Sequence, residues 1–140
     1  MNIKGFSLME VLIVVVIISI IVAFAIPQYN MAVRKRQEQD AVVQLMGLYA
    51  ANKTYQAKYG RVLSGTSLTV TAINDGLGIN IVPNDKTYSY SNGAGTSAFT
   101  ATAQYNKGSP QFSVGINENS LDQTGGNPYC ASAAGSCPTL

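Results

Sequence analysis

Residues 6–26 read FSLMEVLIVVVIISIIVAFAI, an apolar run that only Ser7, Glu10 and Ser19 interrupt. As an α-helix rising about 1.5 Å per residue, this run would extend roughly 30 Å, which is about the thickness of the hydrocarbon core of a bilayer. The run therefore predicts a membrane-spanning helix close to the N-terminus.

Glu10 is the residue of this run that a simple membrane anchor would lack. A carboxylate inside a bilayer costs several kcal/mol unless it is neutralised or paired. The apolar run contains no Lys or Arg that could pair with it. We therefore expect Glu10 to have a partner outside its own span.

A cleaved secretory signal is the alternative interpretation of this segment. Ala23-Phe24-Ala25 fits the small-x-small pattern of a signal peptidase site, and cleavage there would release a chain that starts at Ile26. Three features argue against it: the short n-region with one cation, the acid inside the apolar run, and a helical pattern that continues past the site.

The helical pattern extends well beyond the apolar run. Apolar residues recur at steps of three and four as far as Tyr59, and Gly60 is a typical helix stop. They are Ala41, Leu45, Leu48, Ala51, Tyr55 and Tyr59. We predict one helix over residues 6–59, membrane-embedded over 6–27 and amphipathic over 28–60, with a bend or local opening at Pro27.

Beyond Gly60 the pattern changes to alternation, which is typical of strands. Four stretches alternate, at residues 68–73, 87–91, 99–105 and 111–116, with Gly-rich turns between the later ones. We predict an antiparallel sheet of three or four strands that covers the apolar stripe of the helix. Residues 61–140 would form the β-rich head of an α+β fold, with a loop-like tail over 117–140.

Composition excludes several classes of function. Charged residues are 11% of the 140 residues, the net charge is +2, and histidine is absent. Without histidine there is no Ser-His-Asp triad and no ordinary zinc site, so we expect neither an enzyme nor a metal or other cofactor. The basic run Arg34-Lys35-Arg36 is followed by acids at Glu38 and Asp40. This pattern favours a solvated helix over a specific nucleic-acid site.

The two cysteines, Cys130 and Cys137, lie close together near the C-terminus. Two cysteines without other soft ligands do not complete a metal site, so a disulfide is the better interpretation. Closing so short a loop would stabilise the fold by roughly 2–3 kcal/mol, and the bond implies an oxidising compartment.

The N-terminal segment resembles a known family. Lys4-Gly5-Phe6-Ser7-Leu8-Met9-Glu10, followed by the apolar run and Pro27, is similar to the start of type IV prepilins and the related pseudopilins. The resemblance covers about thirty residues. It implies a five-residue leader over 1–5, cleavage between Gly5 and Phe6 by a prepilin peptidase, N-methylation of Phe6, and Pro27 as the helix-kinking proline.

The resemblance also implies a location and partners. The subunit would be stored in the inner membrane with its N-terminus cytoplasmic and its head periplasmic, in contact with membrane lipid. It would then polymerise with copies of itself into an extracellular helical filament, with Glu10 and the new amine of Phe6 setting the register. Because the chain has no P-loop, a separate ATPase on an inner-membrane assembly platform would supply the work.

Several alternatives stay open within this interpretation. We favour a major pilin, on the Cys130 and Cys137 pair, over a minor pilin or a pseudopilin of a type II secretion or competence system. A membrane-tethered binding module that never polymerises is a different class, and Glu10 argues against it. The role of the filament, whether adhesion, motility, DNA uptake or secretion, is not readable from these residues.

The distribution of cations conflicts with the expected orientation. Arg34-Lys35-Arg36 lies on one side of the apolar run and Lys4 on the other, so the positive-inside rule favours a cytoplasmic C-terminal side. The cysteine pair and the prepilin-like signal both require the opposite, and we follow them.

Three further signals in the sequence are weaker. Glu118 and Asp122 could contribute to a calcium site, although their spacing matches no Ca²⁺ loop. Asn52-Lys53-Thr54 is a formal glycosylation sequon on a predicted helix. We expect the tyrosines of the long helix to pack against the sheet; they are Tyr29, Tyr49, Tyr55 and Tyr59.

Overall fold

The computed structural model describes residues 7–93, 97–105, 107, 111–119, 121 and 126–131. The chain has an α+β fold like that of type IV pilins: a long N-terminal helix and a four-stranded antiparallel sheet. It divides into two compact units, Met1–Arg36 and Gln37–Leu140.

Helix α1, Leu8–Tyr59, is assigned as α-helix without a break through Pro27. It ends where the sequence predicts. Gly60 has a φ of +70°, and its N–H donates to the carbonyl of Gln56 at 2.8 Å. A glycine reaches this left-handed conformation without a steric penalty, which explains the helix stop. The predicted start at Phe6 lies outside the described residues.

The first unit is an apolar helix with an exposed surface. Every large apolar side chain from Leu8 to Ile26 is at least 44% exposed. A helix that is apolar on all sides requires lipid or other helices around it.

The prediction of a strand over residues 68–73 is wrong. Residues Val70–Leu77 form a second helix, α2, and Leu68 makes an isolated bridge to Tyr90. The helix starts because the Thr69 side chain accepts from the N–H of Ala72, and it ends at Gly78 in the left-handed conformation. Ile73 is buried on its inner face, with Val70 and Leu77 partly buried at helical spacing.

The other three predicted strands are confirmed, with small shifts of their ends. They are β1 (Lys86–Asn92), β2 (Phe99–Tyr105) and β3 (Phe112–Asn117), and each pairs antiparallel with the next. A fourth strand, β4 (Tyr129–Cys130), pairs with β3 inside the tail that we predicted to be a loop. Two residues are too short to produce an alternating pattern, so the sequence carried no signal for it.

One face of this sheet packs on the part of α1 that belongs to the second unit. Tyr90 of β1 pairs with Ala101 of β2, and both side chains are buried. Helix α1 contributes Ala41, Leu45 and Leu48 to the same core, as the apolar spacing predicts. The second unit therefore has a closed core of its own.

Candidate functional site

The N-terminal turn of α1 is the part of the predicted assembly site that the structure describes. Gly5 and Phe6, which would flank the cleaved bond, lie outside the described residues. Ser7 is the first described residue, and Leu8 begins the helix. The side chains of Ser7 and Glu10 are both exposed.

Ser7 and Glu10 form one of the two hydrogen bonds of a capping box, in which the N3 carboxylate accepts from the backbone N–H of the N-cap residue. Glu10 Oε2 accepts from the Ser7 N–H at 3.2 Å, while the N–H groups of Glu10 and Val11 donate to the Ser7 carbonyl at 3.0 and 3.3 Å. The spacing S-x-x-E is the sequence signature of this motif. Ser7 is a residue that our sequence reasoning missed, although its signal was present.

The capping box explains how the chain tolerates an acid in its apolar run. A carboxylate in the first turn is stabilised by the positive end of the helix dipole and by the N–H it binds. Among the described residues, however, Glu10 has no cationic partner. One hydrogen bond offsets only part of the cost of an ionised carboxylate in lipid, so Glu10 is left able to accept a further partner.

Ser19 differs from Glu10 in that its polar group is satisfied within the helix. Its hydroxyl donates to the Val15 carbonyl one turn earlier, at 2.7 Å. A serine bonded in this way adds little polarity to the helix surface. Glu10 is thus the ionisable group of the apolar run.

Pro27 lies inside α1 and cannot donate a backbone hydrogen bond to the carbonyl of Ala23. The helix nevertheless continues through Pro27 without a break. A bend at this position stays a prediction.

The second unit holds its polar groups in buried networks. The Lys86 side chain is fully buried; its ammonium lies 2.6 Å from Asp40 Oδ2 and donates to Gln37 Oε1 at 2.8 Å. Asp40 is itself 38% exposed. This ion pair joins strand β1 to helix α1, and a buried lysine requires such partners.

Asn52 connects the helix to two other segments of the head. Its amide donates to the Tyr90 hydroxyl at 2.8 Å, and its Oδ1 accepts from the Leu63 N–H at 3.1 Å. Asn52 is completely buried, so the sequon Asn52-Lys53-Thr54 presents no accessible acceptor in the folded protein. Burial therefore argues against glycosylation of Asn52.

The tyrosines of α1 behave differently from one another. Tyr49 packs on Phe99 of the sheet at 6.0 Å between ring centroids, as expected. Tyr29 and Tyr59 are 70% and 54% exposed, so the packing prediction is wrong for them within this chain. The Tyr55 ring lies against the Tyr59 ring, with 4.5 Å between the ring centroids.

The tail is held to the sheet by a buried side chain. Asn127 accepts from the Asn117 N–H at 3.0 Å and donates to the carbonyls of Asn117 and Asn119. Asn127 is 1% exposed. It fixes the approach to β4, where Cys130 lies, and no sequence pattern identified it in advance.

The disulfide and calcium predictions depend partly on undescribed residues. No free cysteine occurs in the part of the chain that the structure describes, but Cys137 lies outside that part. Asp122 lies outside it too, and the described residues contain no group of three or more metal-ligating side chains. The Cys130–Cys137 bond stays a prediction.

By length and composition, α1 qualifies as a helix able to cross a membrane. Its most apolar stretch is not buried by other described parts of the chain. Helices of soluble cores are usually buried, and this one is not.

Comparison with known proteins adds one match. Residues 1–26 match the family described as the prokaryotic N-terminal methylation motif, which supports the type IV pilin and pseudopilin family. Curated proteins and solved structures yield no significant match to this chain.

Proposed function

We propose that this chain, whose N-terminal motif supports the type IV pilin and pseudopilin family, is the major structural subunit of a type IV pilus. The main support for this proposal is the difference between the two units of the molecule. The first unit is an exposed apolar helix with a single acid in its first turn, and the second unit has a closed core of its own.

The exposed helix requires a different environment from the head. Leaving one large apolar side chain in water rather than burying it costs about 1.5–3 kcal/mol, and the stretch from Leu8 to Ile26 consists largely of such side chains. Membrane lipid would cover them before assembly. In the filament, the same helices of neighbouring copies would cover them.

This exchange of lipid for protein has little hydrophobic driving force, because lipid tails are as apolar as leucine. Helix packing and polar contacts must then favour the filament, and extraction from the bilayer needs external work. A separate ATPase acting through an inner-membrane platform would supply that work. The motif points to a structural subunit rather than an enzyme.

Processing would create a cationic partner for Glu10, which has none among the described residues. Cleavage between Gly5 and Phe6 by a prepilin peptidase places a new, N-methylated amine on Phe6, next to Ser7. The capping box holds the Glu10 carboxylate at the same end of the helix. Pairing between the amine of one subunit and Glu10 of its neighbour would set their axial stagger, since an unpaired charge in the filament core is costly.

The same processed chain would be oriented with its N-terminus cytoplasmic and its head outside. A C-terminal Cys130–Cys137 bond requires an oxidising compartment for the head and favours a major pilin over a pseudopilin. A simple tether has no use for an acid within its apolar run.

The test is intact-mass analysis and N-terminal sequencing of the chain from sheared extracellular filaments and from membranes. We expect a mature chain that begins at N-methylated Phe6, two hydrogens lighter for the disulfide, and dominant in the sheared fraction. A Gly5→Val variant is the matched control and should retain residues 1–5 in the membrane.

Two results would contradict the proposal in different ways. The processed chain confined to membranes would favour a pseudopilin or minor subunit. A chain that begins at Ile26, or wild-type protein that retains the leader, would overturn the prepilin-like interpretation itself.

A further inference from the structure

A basic, exposed segment of α1 follows the apolar run closely. Lys35 and Arg36 are exposed, whereas Arg34 is half-buried and has a partner within the chain. Among the residues that the structure describes, no ion pair involves Lys35 or Arg36. Neither the methylation motif nor the assembly mechanism proposed above uses these two cations.

These cations lie on the helix about 6 Å beyond the headgroup layer of a bilayer, near enough for their side chains to extend back to it. Lys35 lies about 14 Å beyond Ile26 at 1.5 Å per residue. The polar layer on each side of the hydrocarbon core is roughly 5–8 Å thick. Side chains of an α-helix tilt toward its N-terminus, and Lys and Arg extend their charged ends toward polar surfaces, so both reach back toward the membrane.

Tyr29 provides a second marker of the interface. It lies between the apolar run and the cations and is 70% exposed. Tyrosines with an apolar ring and a polar hydroxyl are enriched at the level of lipid headgroups. The order apolar run, exposed tyrosine, exposed cations is the order of environments met on leaving a bilayer.

We propose that Lys35 and Arg36 bind the phosphates of anionic phospholipids in the leaflet on the side of the head while the subunit is stored in the membrane. This inference rests on the membrane storage of the proposed function. It also accounts for cations on the side of the span where the positive-inside rule disfavours them: their charge has a local partner in the lipid. Because headgroups surround the helix, two adjacent positions that face different directions can both be satisfied.

The experiment measures lipid selectivity of the full chain reconstituted in phosphatidylcholine vesicles. Spin-labelled phosphatidylglycerol and spin-labelled phosphatidylcholine are compared by the fraction that the protein immobilises. We expect wild type to prefer phosphatidylglycerol and the preference to weaken as salt is raised. The variant Lys35→Gln/Arg36→Gln should lose at least about fivefold of this preference, which is the effect of one interfacial cation.

Matched variants separate charge from structure. Lys35→Arg/Arg36→Lys keeps both charges and should keep the selectivity. Lys58→Gln removes a cation from the last turn of α1 and should leave it unchanged. Lys4 is present in every variant, so its contribution cancels. Far-UV circular dichroism confirms that each variant is folded.

Two outcomes would overturn the inference and are distinguishable. If an alkaline carbonate wash releases the wild-type chain from the vesicles, membrane storage itself is wrong and the proposed function fails with it. The other outcome is that the chain is retained while the double glutamine variant keeps full selectivity, as Lys58→Gln should. In that case lipid binding by Lys35 and Arg36 is wrong, and the proposed function stands.

Discussion

The two units of this chain differ in how their apolar residues are covered. The second unit buries its apolar residues against one another, so that Leu45, Leu48 and Ile116 have almost no exposure. The first unit leaves its apolar residues exposed along the whole of residues 8–26. The apolar surface of the first unit must therefore be covered by other molecules, whereas the second unit has a core of its own.

The two units also differ in where their polar groups find partners. In the second unit they point inward and meet partners from other segments, as Lys86 and Asn52 do. In the first unit the Ser19 hydroxyl is satisfied within a single turn of helix, whereas the Glu10 carboxylate accepts one local hydrogen bond and has no cationic partner among the described residues. A polar group in the head stabilises the fold, whereas Glu10 is available to a neighbour. Substitutions in the two units test this difference.

Glu10→Leu should turn the first unit into a plain membrane anchor. We expect insertion to be unchanged and the yield of sheared filaments to fall by more than about tenfold, because one unpaired amine per subunit costs at least about 1.4 kcal/mol in the filament core. Membrane fractionation and filament shearing measure the two quantities separately. Normal filaments from this variant would refute a role for Glu10 in assembly.

Glu10→Gln is the matched control for charge. Its side-chain oxygen can still accept from the Ser7 N–H, but it has no charge to pair with the amine of Phe6. We expect it to assemble as poorly as the leucine variant. Assembly at the wild-type level would assign the role of Glu10 to helix capping instead.

Lys86→Met should destabilise the second unit without affecting the first. It removes the buried ammonium between Asp40 and Gln37 and leaves the Asp40 carboxylate without its cation. We expect a loss of about 3 kcal/mol in the free energy of unfolding, at the low end for a broken buried pair because Asp40 is partly exposed. Urea unfolding of the full chain in mild detergent measures it.

Two further variants make this a controlled comparison. Asp40→Asn in combination with Lys86→Met should restore part of the loss, which a double-mutant cycle would detect. Lys107→Met removes the cation of the exposed pair with Asp85 and should have no measurable effect. Equal losses for Lys86 and Lys107 would mean that burial does not determine the strength of these pairs.

Tyr88 and Tyr90 give the finest test, because both are buried on the same face of β1. The Tyr90 hydroxyl bonds to Asn52 and to the Leu63 carbonyl, whereas the Tyr88 hydroxyl has no hydrogen-bond partner among the described residues. Tyr90→Phe should cost about 2 kcal/mol, and Tyr88→Phe should be neutral or stabilising by up to about 1 kcal/mol. Equal costs in urea unfolding would contradict the hydrogen-bond assignment.

Alkaline pH provides a second measurement on this pair. Burial raises the pKa of Tyr88, with the Asp40 carboxylate adding to the effect, and burial also raises the pKa of Tyr90. Since both folded-state values lie above the unfolded value of about 10, stability is fully present below pH 10 and falls as the pH rises beyond it. Tyr88→Phe should flatten this alkaline decline, and an unchanged decline would count against Tyr88 as its source.

Much of the fold could be predicted from local patterns. The helix end at Gly60 and the strands over Tyr88, Ala101 and Val114 followed from residue type and spacing. The prediction of a strand over 68–73 was wrong. The segment alternates, but the Thr69 cap and the helical spacing of its apolar residues favoured a short helix instead. The start at Ser7 was missed although its capping box was present in the sequence.

Local and compositional features can be read from the residues alone: the apolar span, the acid within it, the resemblance of residues 1–26 to the methylation motif, and the change from helical to strand periodicity. The burial of Lys86 against Asp40, the link that Asn52 makes between Tyr90 and Leu63, and the attachment of the tail by Asn127 depend on the packed fold. The physical reason is distance along the chain. A helix or a strand is encoded within a few residues, whereas the partner of a buried polar group is supplied by whichever remote segment the packed core brings beside it.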